Sequence, residues 1–116
     1  MIIYTGSYSD YLLGYTDKFN DIDLIVTSDH KNIVPNLSSK GTIFDNEVYQ
    51  RGWTYFENFL LDIFIRDNFD EFIMIDGLYH AKLEYKLNCS KRALQLCNDN
   101  YRQKLINKIK MYEELL

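Results

Sequence analysis

Short apolar runs separated by polar turns make up the first two thirds of the chain. Five runs are rich in β-branched, aliphatic and aromatic residues and have the length of strands, which predicts β-strands at residues 2–5, 22–27, 42–44, 47–50 and 60–65. Asp45-Asn46 separates the third run from the fourth and predicts a hairpin turn. The last run is apolar at every position except Asp62, so this predicted strand carries one carboxylate among apolar neighbours.

Two segments between these runs have a different pattern. Residues 7–15 predict a short helix, with Ser7 or Ser9 as its N-cap and Gly14 at its end. Residues 28–41 contain the only proline of the chain together with several Ser and Asn, and they predict an exposed connection. Both segments therefore link strands.

Apolar residues at helical spacing dominate the last third of the chain. Leu78, Ala81 and Tyr85 predict a helix that begins near residue 78, followed by a break near residues 88–90. A capping cluster at residues 98–100 predicts the start of a last helix. The apolar stripe of that helix consists of Tyr101, Leu105, Ile109 and Tyr112.

The size and composition of the chain limit its architecture. With 116 residues, 47% of them hydrophobic, it can bury one core. Strands first and helices last predict a single α+β domain, with a core over residues 1–76 and a helical C-terminal part over residues 77–116. No apolar run has the length of a membrane span, and residues 1–4 lead directly into a strand, so we expect a cytoplasmic protein. Cys89 and Cys97 are too few for a disulfide framework or a zinc site.

The net charge of −4 is distributed unevenly along the chain. Residues 1–76 hold thirteen Asp and Glu against five Lys and Arg, whereas residues 77–116 hold eight basic and four acidic side chains. An acidic part can concentrate a cation, and a basic part can face phosphates. The simpler alternative is that the C-terminal charges are the solvated faces of helices.

Asp21 and Asp23 are two residues apart at the start of a predicted strand. Residues at this spacing point the same way and lie roughly 6 to 7 Å apart, so two carboxylates share one face of the strand. Carboxylates without His or Cys suit Mg²⁺ or Mn²⁺ better than Zn²⁺. The alternative is that this pair merely begins a strand after a polar turn.

Asp62 lies in the middle of the apolar run 60–65. Burial of an unpaired carboxylate is unfavourable, so an Asp in this position needs a partner. One explanation is a salt bridge to Arg51, Arg66 or a helical Lys. A metal ion shared with Asp21 and Asp23 would explain all three acidic residues together.

Gly6-Ser7 follows the first predicted strand. A Gly at the end of a strand lets the backbone turn sharply, and the N-terminus of the following helix offers free N–H groups and a partial positive charge to a phosphate. The Ser7 hydroxyl could add a further contact. An ordinary strand-to-helix turn with a Ser cap is the alternative.

Together these residues resemble the signature of the DNA polymerase beta-like nucleotidyltransferase superfamily. Gly6-Ser7 is followed after thirteen residues by Asp21-Ile22-Asp23-Leu24, and later by Leu61-Asp62-Ile63. The motifs span residues 5–63, about half of the chain. The resemblance implies a mixed β-sheet with helices packed on one side. It also implies the transfer of a nucleoside monophosphate from a nucleoside triphosphate to a hydroxyl, with release of pyrophosphate.

The resemblance implies a role for each matched residue. Asp21 and Asp23 would ligate the Mg²⁺ or Mn²⁺ ions that hold the triphosphate. Asp62 would complete the site of the ion that activates the attacking hydroxyl. Gly6 and Ser7 would contact the β and γ phosphates.

Lys82 and Lys86 are further candidates for contact with the triphosphate. They lie in and just after Leu78-Tyr79-His80-Ala81-Lys82-Leu83, which is similar to a lysine-bearing helix of phage-encoded nucleotidyltransferase-like proteins. A phage-encoded protein would act in the host cytoplasm. A solvated helix face is the alternative explanation for both lysines, and His80 is left without a role. The chain lacks the Arg-Gly pair that follows the Gly-Ser turn in antitoxin-related members of the family.

Two other classes of protein remain open. A catalytically inactive member of the superfamily would bind nucleotide or metal as a regulatory or interaction module. A nucleic-acid-binding protein would use Tyr79, Tyr85 and Tyr101 as stacking platforms, although the overall acidity disfavours this. For the enzyme, the acceptor (protein, RNA or small molecule) and the base are left open, and a second copy of the chain could complete the site.

Overall fold

The computed structural model of the protein describes residues 1–38, 41–43 and 47–116. They form two compact units, Met1–Ala81 and Lys82–Leu116, which we call the sheet unit and the helical unit. The elements are β1 (Ile2–Thr5), α1 (Gly6–Leu12), β2 (Ile22–Val26), a 3₁₀-helix (Ser28–Ile33), β3 (Gly41–Ile43), β4 (Glu47–Phe56), β5 (Phe59–Ile65), β6 (Phe72–Ile75), β7 (Leu78–Ala81), α2 (Leu83–Leu96) and α3 (Asp99–Leu115). The predicted α+β class is confirmed. A single domain with helices on one side of the sheet stays a prediction.

The strands of the sheet unit form a mixed sheet in the order β3-β4-β5-β2-β1-β7-β6. β2 pairs with β5 and β1 with β7 in parallel, and the remaining neighbours are antiparallel. The predicted strands at residues 2–5, 22–27 and 60–65 are confirmed within one residue at each end. The predicted pairing around residues 45–46 is also found, but the turn itself lies outside the described residues.

The parallel pair β2–β5 lies in the middle of the sheet and carries much of its core. Val26, Ile63 and Ile65 are buried in one cluster, which Val34 covers from the segment after the 3₁₀-helix. On the other face of β2, Ile25 is also buried. Strands that are buried on both faces are apolar almost throughout, which explains why β2 and β5 each contain a single polar residue.

Over residues 28–38 the connection after β2 is exposed as predicted, apart from the buried Val34. Its N-terminal part is the 3₁₀-helix, and the next residues run beside β4. The N–H of Trp53 donates to the carbonyl of Pro35 at 3.2 Å, and the N–H of Ser38 donates to the carbonyl of Arg51 at 2.8 Å. These hydrogen bonds satisfy backbone groups along part of β4.

Gly52 lies where this connection passes over β4. A Cβ atom at Gly52 would collide with the side chain of Val34 and would approach the carbonyl oxygen of Pro35 to 2.7 Å. We expect Gly52→Ala to lower the free energy of unfolding by about 2 kcal/mol, because overpacking forces the covering segment outward. Denaturant unfolding measures the effect.

A Val34→Ala background provides the internal control for Gly52. It removes the Val34 methyl groups that the new Cβ would meet, so Gly52→Ala should be less destabilising there. An equal effect of Gly52→Ala in both backgrounds would contradict the packing explanation.

The helix predicted from residue 78 is wrong, because residues 78–81 form the strand β7. Asp76 and Gly77 both have positive φ, at 50° and 83°, and they return the chain as a two-residue hairpin from β6. β7 also pairs in parallel with β1, with Tyr79 opposite Ile3. A four-residue apolar segment fits either periodicity, and pairing with two strands decides in favour of the strand. The Asp-Gly dipeptide was the local signal for this hairpin.

The helical unit consists of α2 and α3, which pack against each other. The break predicted at residues 88–90 is wrong, because α2 runs through them and Ser90 is buried. The last helix is confirmed: Asn98 is its N-cap, and Leu105 and Tyr112 from the predicted stripe are buried. Because residues 78–81 belong to the sheet, the boundary between the units falls at Ala81, beyond residue 76.

The helices of the described ranges are too short or too polar to cross a membrane.

Candidate active site

Asp23 and Asp62 are brought together by the register of the central parallel pair. Asp23 on β2 and Asp62 on β5 are Cα partners. Paired residues on neighbouring strands point to the same face, and the strands are about 4.8 Å apart. Two carboxylates that are far apart in sequence therefore lie side by side on one face of the sheet.

Asp21 extends this arrangement by one step along the chain. It directly precedes β2, is exposed, and stands two residues before Asp23. The hydroxyl of Ser7, in the first turn of α1, donates to the backbone carbonyl of Asp21 at 3.3 Å. This contact ties the start of the helix to the residue that begins the acidic strand.

Gly6 completes the turn against Asp23. Its φ is +65°, a conformation that residues with a side chain rarely adopt, and its neighbour Thr5 is the Cα partner of Asp23. A Cβ atom at Gly6 would collide with the Asp23 carboxylate and lie 3.2 Å from its Cγ atom. The structure thus brings Gly6 against Asp23 and Ser7 against the backbone of Asp21, with Asp62 beside Asp23 on the next strand.

Asp62 is paired with Arg51 of β4. The Arg51 Nε donates to Oδ1 of Asp62 at 2.6 Å, and a terminal nitrogen of the guanidinium donates to Oδ2. The Asp62 side chain is 13% exposed and the Arg51 side chain 53% exposed, so the carboxylate is the buried partner. The guanidinium also lies 5.3 Å from the ring centre of Phe64. Of the two explanations for Asp62 offered by the sequence, the salt bridge to Arg51 is confirmed.

Arg51→Met tests what this ion pair contributes. Met keeps the apolar stem and removes the guanidinium, so we expect the free energy of unfolding to fall by about 1 to 2 kcal/mol, because Asp62 loses its hydrogen-bond donors. Arg51→Met combined with Asp62→Asn should be less destabilised than Arg51→Met alone, since no unpaired charge is left. An Arg51→Met protein as stable as wild type would show that the Arg51–Asp62 ion pair makes no net contribution to stability.

The carboxylates are the donor type that Mg²⁺ and Mn²⁺ prefer. Within the ranges that the structure covers, however, no three His, Cys, Asp or Glu side chains form a ready metal-binding group. Arg51 takes both oxygens of Asp62. Asp62 is thus engaged by Arg51 in this structure, and a metal role for Asp21, Asp23 and Asp62 stays a prediction.

Lys82 and Lys86 belong to the helical unit. Lys82 is the N-cap of α2 and is exposed, so the predicted lysine-bearing helix begins at Leu83, five residues later than expected. Lys86 lies one turn into α2 and is only 3% exposed. A solvated helix face therefore does not explain Lys86, and triphosphate contact by either lysine stays a prediction.

His80 has a structural position that the sequence did not indicate. Its Nδ1 forms a hydrogen bond of 2.8 Å with the hydroxyl of Ser9, and both residues are buried. The ring centre of His80 is 5.8 Å from that of Tyr4. The pair connects α1 to β7 inside the sheet unit, and no local motif marks a contact between residues so far apart in sequence.

Asp29 lies beyond the C-terminal end of β2 and has a perturbed carboxyl. The Thr27 hydroxyl donates to it and holds its pKa below the ordinary value, with a further contribution from His30. Ionised Asp29 therefore favours the folded state above its ordinary pKa, and this contribution is lost as the pH falls through the lowered pKa. Asp29 is separate from the candidate site, because Asp21 directly precedes β2, Asp23 lies on β2 and Asp62 lies on β5.

Comparison with known protein families, with curated proteins and with solved structures found no match to this chain. The likeness to the nucleotidyltransferase superfamily therefore comes from the Gly-Ser turn and the three Asp residues of this sequence. Its consequences for function are proposals.

Proposed function

We propose that the protein is a metal-dependent nucleotidyltransferase that transfers a nucleoside monophosphate from a nucleoside triphosphate to a hydroxyl acceptor. The observation that carries the proposal is the pairing of Asp23 with Asp62 on adjacent strands. Asp21 stands two residues before Asp23, and Gly6 packs against the Asp23 carboxylate. Acidic side chains from two adjacent strands thus lie next to each other and next to a glycine turn.

Asp21 and Asp23 are the residues that would hold Mg²⁺ or Mn²⁺. Two carboxylates roughly 6 to 7 Å apart, the spacing of residues i and i+2 on an extended chain, repel each other by up to a few kcal/mol at an effective dielectric of about 20. A divalent cation bound between them would replace this repulsion by attraction. When bound, the ion would neutralise the triphosphate and stabilise the charge that develops on its oxygens.

Gly6 and Ser7 would contact the β and γ phosphates. The absence of a side chain at Gly6 leaves the backbone accessible next to Asp23, where a Cβ would collide with the carboxylate. The Ser7 hydroxyl, which donates to the carbonyl of Asp21, could turn to a phosphate oxygen. Both residues lie at the start of α1, so the phosphates would be held against the end of β1.

Asp62 would serve the acceptor. In the transfer, the acceptor oxygen forms a bond to the α-phosphorus while the bond from that phosphorus to pyrophosphate breaks, and the hydroxyl proton is released to a carboxylate or to water. Asp62 lies beside Asp23, so it would orient the hydroxyl next to the bound triphosphate once Arg51 releases one of its oxygens. The contribution of these residues is mainly positioning and charge stabilisation.

A second candidate function is a catalytically inactive module that binds nucleotide. The observation that favours it is the Arg51 guanidinium on both oxygens of Asp62. A protein in which Arg51 permanently replaces a cation at Asp62 could still bind a metal-nucleotide complex through Asp21 and Asp23. It would not activate an acceptor hydroxyl.

Two measurements separate these functions. Calorimetric titration of ATP, GTP, CTP and UTP with Mg²⁺, and again with a chelator, shows whether binding needs the metal. The triphosphate that binds, labelled at the α-phosphate, is then incubated with the protein alone, with RNA and with small hydroxyl compounds. Metal-dependent binding with transfer of label supports the enzyme, and binding without transfer supports the inactive module. No binding by the folded protein would contradict both.

A further inference from the structure

β4 presents three large polar or aromatic side chains beside the acids. Arg51, Trp53 and Tyr55 alternate along the strand and therefore point to one face. Trp53 is 48% exposed and Tyr55 is 64% exposed, and their rings meet edge to face with centres 6.0 Å apart. We call these two residues the aromatic platform.

The aromatic platform lies on the same face of the sheet as the carboxylates. Trp53 is the Cα partner of Asp62, and Asp62 is in turn the partner of Asp23. The contact between Arg51 and Asp62 confirms the shared face, since side chains on opposite faces could not meet. At about 4.8 Å per strand, Trp53 and Asp23 are separated by roughly 10 Å, which a nucleotide can span.

The composition of this surface points to one kind of ligand. An exposed indole and an exposed phenol beside the Arg51–Asp62 ion pair offer stacking surface next to polar groups, and this combination suits a nucleobase. An apolar partner bound to this surface would remove water from the adjacent carboxylates and from Arg51 without offering them hydrogen bonds in return. A nucleoside triphosphate has an aromatic base and an anionic tail of the length that this face requires.

We propose that Trp53 is the stacking site for the base of the nucleoside triphosphate whose phosphates lie at Asp21 and Asp23. This inference rests on the proposed function, because the phosphates must be held at the acids for the base to reach β4. Tyr55 supports the indole edge to face and extends the stacking surface. Trp53 is then the residue that selects a nucleotide over a polyphosphate without a base.

Trp53 is the only tryptophan of the chain, so its fluorescence reports directly on this site. We expect the Mg²⁺ complex of at least one of ATP, GTP, CTP and UTP to quench it on binding, because a stacked base alters the excited indole. The Mg²⁺ complex of inorganic tripolyphosphate has no base. Calorimetry should show that it binds to the protein, but it should leave the fluorescence of Trp53 unchanged.

The variant that tests the platform is Trp53→Leu, with Phe56→Leu as its control. Phe56 is an exposed aromatic residue on the same strand, but by alternation it points to the opposite face. We expect Trp53→Leu to weaken binding of the nucleoside triphosphate about tenfold, the size of one base–aromatic stack, and to leave tripolyphosphate affinity unchanged. Trp53→Phe should recover most of the loss, and Phe56→Leu should bind like wild type.

The outcomes distinguish this inference from the proposed function. If Mg²⁺-dependent nucleotide binding survives in Trp53→Leu at wild-type affinity, the platform is wrong while the enzyme proposal stands. Quenching by single-stranded oligonucleotides but by no mononucleotide would also overturn it, since the ligand would then be a nucleic acid. If neither nucleotide nor tripolyphosphate binds wild type, both proposals fail.

Discussion

Replacement of Asp23 by Asn is expected to remove Mg²⁺-dependent nucleotide binding almost completely. Asp23 is the carboxylate at the centre of the site, with Asp62 beside it across the strand pair and Gly6 against its oxygens. Asn has the same shape without the charge. We expect the affinity for the metal-nucleotide complex to fall at least about a hundredfold, because even partners of metal ligands contribute about ten- to a hundredfold. Calorimetric titration at fixed Mg²⁺ measures the loss.

Asp17→Asn is the matched control for this experiment. Asp17 is exposed in the polar connection between α1 and β2, and its replacement changes the net charge by the same amount. It should therefore bind nucleotide like wild type. Asp23→Asn should still unfold cooperatively in denaturant, since Asn keeps the size and shape of the Asp side chain, and this checks that the variant is folded. Unchanged nucleotide affinity in a folded Asp23→Asn protein would contradict the proposed site.

The second large effect is expected from Gly6→Ala. The new methyl group would enter the space of the Asp23 carboxylate and turn it away from the site. We expect the affinity for the metal-nucleotide complex to fall by about tenfold or more, since the displaced carboxylate is a proposed metal ligand. Because Gly6 has a positive φ, an Ala at this position should also lower the free energy of unfolding by about 1 kcal/mol.

Gly14→Ala separates these two consequences. Gly14 has a φ of +80°, similar to that of Gly6, but a Cβ atom at Gly14 would meet no other atom within 4 Å. Gly14→Ala should therefore lose only the stability that its backbone conformation costs, measured by denaturant unfolding, and should keep its nucleotide affinity, whereas Gly6→Ala should lose at least as much stability and also nucleotide affinity. Equal affinity of the two variants would show that the approach of Gly6 to Asp23 has no functional role.

Local patterns were sufficient for the elements that have a clear start and end. β1 stops where Gly6 allows a turn, and β5 is recognisable because Asp62 is its only polar residue. The final helix is equally clear, since its stripe of apolar residues is long enough to exclude a strand. Residues 78–81 are too few to show a period, and their strand is defined only by pairing with β1 and β6.

The sequence named Arg51 among the candidate partners of Asp62 but could not choose between them, for a related reason. The sequence left two explanations open, a salt bridge to Arg51, Arg66 or a helical Lys and a metal ion shared with Asp21 and Asp23. Arg51 reaches the carboxylate because β4 and β5 pair antiparallel, with Arg51 opposite Phe64, two residues from Asp62. That register depends on the β4–β5 hairpin as a whole, so no single residue of the hairpin predicts which partner Asp62 has.

The sequence by itself determined the α+β class, the main strands and the set of candidate residues, because residue type and spacing along the chain define these locally. Only the tertiary structure decided that Asp23 and Asp62 are neighbours, that Arg51 covers Asp62, and that Trp53 shares their face. The physical reason is that strand register is a cooperative property of the sheet. A shift by one residue would turn every one of these side chains to the other face.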